Sequence, residues 1–88
     1  MNLKLVTWDG DLTQFLVEAI SDEEAVNKAI EANFKYADPG EDDDGMVATD
    51  MRDPGTYTVE DVDFAFLSEI FSSARRNYAY GEAIIIDN

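Results

Sequence analysis

Residues 3–8 form one strand candidate and 12–19 a second, in which apolar and polar positions alternate: Thr13, Phe15, Val17 and Ala19 share one face and Gln14 and Glu18 the other. A period of two with one apolar face is the mark of a half-buried strand. The two runs flank Trp8-Asp9-Gly10-Asp11. Asp-Gly between apolar runs favours a tight hairpin, because both residues tolerate positive φ. The period then changes. Ser21-Asp22-Glu23-Glu24 has the S-x-x-E form of a capping box, and Val26, Ala29, Ile30 and Phe34 follow at helical spacing. A helix over about 22–35 is predicted, started by reciprocal capping and by acids beside its positive end. It is stopped by Asp38-Pro39-Gly40.

Residues 38–57 read as an acidic loop containing two Asp-Pro-Gly turns, at 38–40 and 53–55, with Met46–Thr49 as a possible short strand. A connection this long is uncommon without a function of its own. Thr58 is the expected cap of a second helix over about 59–76. Glu60, Asp61 and Asp63 fall in its first turns, and Arg75 and Arg76 in its last. Val62, Phe64, Ala65, Phe66, Leu67, Ile70, Phe71 and Ala74 cover more than half its circumference. Such a helix is either central to the core or has a face free for a partner. Residues 82–87, with Ala83-Ile84-Ile85-Ile86, close the chain as a strand. The order is β-β-α-(β)-α-β. The expected fold is α+β: one domain over 1–88, with a small antiparallel or mixed sheet of three to four strands and both helices on one face.

Charge changes this picture more than any motif does. The 88 residues carry 20 acids and 6 bases, a net charge of −14. Binding to nucleic-acid phosphates or anionic membranes needs a basic patch and is not expected. Cysteine and histidine are absent, which removes thiol nucleophiles, thiolate zinc sites and imidazole bases. Neither a signal peptide nor a membrane span is read, so a cytoplasmic location is the default expectation. With 45% hydrophobic residues the chain has the means to build a core.

The acids are unevenly placed. Residues 38–63 hold ten acids (Asp38, Glu41, Asp42, Asp43, Asp44, Asp50, Asp53, Glu60, Asp61 and Asp63) against Arg52, a net of −9. Like charges at ~7 Å and a dielectric of ~20–80 repel by roughly 0.6–2.4 kcal/mol per pair before screening. Solvated loops and helix starts account for some of these residues. The remainder points to a ligand of opposite charge.

An EF-hand register on Gly45 places Gly40 first and Met51 twelfth, so both end ligands fail. An irregular divalent-cation site over 41–50 stays open, but no metal or cofactor is assigned. Paired carboxylates in a polar loop lack the burial that raises an acid's pKa, so no catalytic residue is assigned and the chain is not expected to be an enzyme. Tyr36 and Tyr57 border the acidic stretch and, with Tyr78 and Tyr80, are candidates for interface contacts. The assigned partner surface is therefore the ten acids with Tyr36 and Tyr57.

In size, in the signals around Asp9-Gly10 and Ser21-Asp22-Glu23-Glu24, and in the Glu41–Asp44 acid run, the chain resembles phage-encoded DNA-mimic inhibitors of the anti-CRISPR and anti-restriction type. That resemblance implies a stoichiometric inhibitor of a basic nucleic-acid-binding protein: a CRISPR effector, a restriction enzyme or a nuclease. Three alternatives remain at this point. One is an immunity protein against a basic nuclease toxin. The second is a structural or accessory subunit of a phage or bacterial assembly, docking through the second helix. The third is a Ca²⁺-responsive module.

Overall fold

The computed structural model describes residues 2–10, 12–37 and 52–87. Among them the strands are β1 (Asn2–Trp8), β2 (Gln14–Ala19), β3 (Tyr57–Asp61), β4 (Arg76–Tyr80) and β5 (Ala83–Asp87), and the helices are α1 (Asp22–Ala37) and α2 (Phe64–Ser73). The α+β class is as expected. The sheet has five strands in the order β3-β1-β2-β5-β4, every pair antiparallel, where three to four were expected.

The expectation of both helices on one face fails because the central strands are apolar on both faces. Val6, Trp8, Phe15, Val17, Ala19, Ala83 and Ile85 point to one side and pack against Ala25, Val26, Ala29 and Ala32 of α1. Leu5, Leu16 and Ile86 point to the other and meet Ile70 of α2, with Leu3, Phe66, Leu67 and Ile84 half-buried around them. The unbroken Ala83–Ile86 run is a strand covered on both faces, which needs no alternation.

α1 begins as its capping box directs. The Glu24 N–H donates to Ser21 Oγ at 3.1 Å, and the Glu24 carboxylate accepts from the Ile20 N–H at 3.4 Å. Its alanines let the helix approach the sheet closely.

The second helix is shorter than expected at both ends. Tyr57 and Val59 alternate inward toward the α1 layer, so 57–61 is a strand pairing β1 from Lys4↔Asp61 to Trp8↔Tyr57. Thr58 is not the cap. Asp63 is, and its carboxylate accepts from the Phe66 N–H at 2.7 Å. At the far end α2 stops at Ser73. Arg76 opens β4 opposite Asp87, whose carboxylate its guanidinium meets at 3.0 Å. Arg75 and Arg76 therefore do not close a helix. Of the expected 38–57 loop, Pro54–Thr56 is a 3-10 turn and Tyr57 starts β3. The suggested Met46–Thr49 strand lies outside the described residues.

The hairpin between β1 and β2 is looser than a two-residue turn. Trp8 pairs with Thr13, and Leu12 takes the left-handed conformation (φ 65°) while 69% exposed. Gly10 is fixed by its neighbour: a Cβ there would lie 2.4 Å from the buried Trp8 ring. That ring packs beside Tyr57, centroids 6.4 Å apart, and its N–H donates to Thr56 Oγ1 at 3.2 Å.

One buried polar pair joins α1 to the sheet: the Asn33 side-chain amide donates to the Tyr57 hydroxyl at 3.0 Å. Removing one member leaves a desolvated donor, whereas removing both does not. Tyr57→Phe should cost roughly 1–3 kcal/mol in urea unfolding, and adding Asn33→Leu should recover part of that loss.

Candidate functional site

The sheet face under α1 carries one lysine among apolar residues. Lys4 alternates with Val6 and Trp8 along β1, and its side chain is 8% exposed. A buried ammonium needs partners of opposite charge. It has two: Asp61 Oδ1 on the adjacent strand β3 at 2.6 Å, and Asp22 Oδ1 at the first turn of α1 at 2.9 Å. The carboxylates remain 82% and 70% exposed. The apolar stem of Lys4 is thus covered while two acids sit above its head in solvent. These contacts, with Asp61 foremost and Asp22 next, raise the Lys4 pKa above its ordinary value of 10.5, against the opposing effect of burial.

Lys4 therefore ties three elements into one corner. Asp22, Glu23 and Glu24 form the first turn of α1. Asp61 ends β3, and Asp63 caps α2 two residues on. Asp22, Glu23, Asp61 and Asp63 are exposed. The corner is anionic even after Lys4 is counted.

Only part of the acid set expected from the sequence comes together here. Asp61 belongs to the corner, and Asp63 follows it two residues on as the cap of α2. Glu60 is exposed on the opposite sheet face, where it lines a shallow groove with Leu5, Gln14 and Phe66. Asp53 sits at the other end of β3, where it accepts from the Gly55 N–H at 2.9 Å and caps the 3-10 turn. Glu60 and Asp61 are not helix-start residues, so their side chains diverge across a strand. Asp38, Glu41, Asp42, Asp43, Asp44 and Asp50 lie outside the described residues. Tyr36 belongs to the last turn of α1. Tyr57, expected at a rim, is a core residue instead, buried against Trp8 and α1.

Lys4 as the organiser was not expected from the sequence, where Asp22 and Glu23 stand only as helix-start charges. A lysine at a buried position of an otherwise apolar strand face was the available signal. Other cations are also engaged within the fold. Lys28 donates to the Glu18 carbonyl at 2.8 Å and lies 3.5 Å from Glu24, Arg76 binds Asp87, and Arg52 lies over the Phe34 ring at 4.8 Å. Among the described residues no cluster of three or more acids is placed to hold a metal ion, and no helix is long and apolar enough to cross a membrane.

The raised Lys4 pKa fixes the sign of a pH effect. A group whose pKa is higher in the folded state stabilises the fold fully below its unfolded value and loses that contribution as pH climbs through the folded value. Lys4→Met should lower the melting temperature at pH 7. The gap between the two proteins should narrow as pH rises above 10.5, which paired thermal melts from pH 7 upward would measure.

No family model, curated protein or solved structure matches the chain, so its function is inferred from its own charge and geometry.

Proposed function

We propose that this protein is a non-catalytic acidic binder that occupies the basic groove of a nucleic-acid-binding effector or nuclease and inhibits it, in the manner of a nucleic-acid mimic. The observation that supports this most is the Lys4 corner. There exposed Asp22 and Asp61 are held in place by a buried cation, and Glu23 and Asp63 add charge beside them. Carboxylates fixed by the fold lose less side-chain freedom on binding than mobile ones. A body with a net charge of −14 would be drawn quickly to a cationic surface, and that attraction would weaken with salt. The acid run Glu41–Asp44 would extend the same field along the chain.

Capture from a bacterial extract at low salt tests this with two variants of the immobilised protein. Asp63→Asn with Glu23→Gln removes two of the charges named above and keeps an N-cap residue at the start of α2. Asp42→Lys, Asp43→Lys and Asp44→Lys reverses the run. Both should keep the melting temperature and lose most of the captured protein. Protein captured by the unaltered chain should leave with salt and with added duplex DNA or RNA. Undiminished capture by the triple-lysine variant, or indifference to nucleic acid, would overturn the proposal.

A further inference from the structure

β3 and β4 are the two edges of the sheet, and α2 is the connection between them. The chain must therefore cross the whole sheet on one face. Five strands ~4.8 Å apart span roughly 19 Å, whereas a helix is only ~10 Å wide, and the ten residues of α2 give it a length of ~15 Å. It leaves β3 beside Lys4 and reaches β4 opposite Asp87, so it runs diagonally. Among the described residues a diagonal helix leaves two corners of the face uncovered, and each is a shallow groove. The first is lined by Leu5, Phe66 and Ile70 together with Gln14, Glu60 and Glu69. The second is floored by Leu3, Leu16 and Ile84 and rimmed by Glu18 and Glu82.

α2 turns different flanks to the two corners. Phe66, Glu69, Ile70 and Ser73 line the first. At 3.6 residues per turn the opposite flank carries Phe64, Leu67 and Phe71, at i, i+3 and i+7. Phe64 is 87% exposed and Phe71 38%. The second corner thus combines an apolar floor with two carboxylates at its rim, and by helical periodicity Phe64 and Phe71 lie on the flank of α2 turned away from the first corner. Its one cation, Lys28, is already engaged by the Glu18 carbonyl and Glu24.

We infer that this corner docks an amphipathic helix of a partner protein, one whose apolar stripe is flanked by Lys or Arg. A helix beside α2 would complete a two-helix layer over a sheet wide enough for two. Its apolar stripe would cover Leu3, Ile84 and Phe71, and its cations would meet Glu18 and Glu82. A second copy of this chain fits poorly. Each copy carries a charge of −14, and α2 contains Glu69 but no base. The inference is independent of the groove-occupation proposal, because it rests on Leu3, Leu16, Glu18, Glu82 and Ile84 rather than on the carboxylates around Lys4, and the two sets of signals are read separately.

The test uses an 18-residue synthetic helical peptide with a leucine stripe and lysine flanks, titrated into the ¹⁵N-labelled protein. Control peptides replace the leucines with serine or the lysines with glutamate. The docking corner predicts amide shifts at Leu3, Leu16, Glu18 and Ile84, and no binding of either control. Phe64→Ser with Phe71→Ser should weaken binding at least ten-fold. Glu18→Gln with Glu82→Gln, which leaves the apolar contacts intact, should weaken it about three-fold and more at low salt than at high salt. Shifts confined to Asp22, Asp61 and their neighbours would overturn the inference, as would no binding or full binding by both double variants. Sedimentation as a dimer dispersed by Phe71→Ser would overturn it too, by making a second copy the occupant.

Discussion

Burial of both faces of β1, β2 and β5 requires a helical layer on each side, and the two layers are unequal. α1 has 16 residues, and Ala25, Ala29 and Ala32 let it sit low over the centre of the sheet. α2 has ten residues and must also carry the chain from one edge strand to the other. Its route is set by connectivity before packing, and the face beneath it stays partly open. The four-residue core of Leu5, Leu16, Ile70 and Ile86, fringed by half-buried leucine, isoleucine and phenylalanine side chains, is the result.

Electrostatics follow from the same geometry. On the well-covered face a lysine replaces an apolar residue, and its position at the margin of the sheet lets it reach two carboxylates from different elements. The pairs are individually of the kind that contributes little when both partners are exposed. Here the cation is buried, so losing a carboxylate would leave it short of compensation. The fold thus holds acids at a defined corner, and does so within a chain whose net charge opposes crowding of that kind. The other face offers carboxylates of a different sort, at the rim of an apolar surface. Two chemically distinct surfaces therefore lie on one small body.

Local signals were legible where the sequence carried its own instructions. The Ser21–Glu24 box, the helix behind it, the first two strands and the Ile84–Ile86 strand could all be read from spacing. The expected second helix is longer than the observed one because Val62, at the edge of the true helix, also fits a helical period with Phe66. What decided the matter was the pairing of β3 with β1, a long-range contact that no local pattern encodes. β4 was lost for the same reason, since Arg76, Asn77 and Tyr78 acquire strand geometry from β5. Tyr57 was placed at a rim because it borders the acids, but alternation in β3 turns its ring inward to Asn33. Lys4 was visible as a charge within an apolar strand, while its partners at positions 22 and 61 become neighbours only in the folded chain.

We have proposed that the acidic surface excludes nucleic acid from a partner's basic groove. The most direct measurement is displacement of a fluorescent oligonucleotide from a captured partner, followed by anisotropy as this protein is added at two salt concentrations. Release is expected at one protein per partner, with a lower midpoint at low salt. A stable ternary complex, with the oligonucleotide still bound at saturating protein, would contradict it.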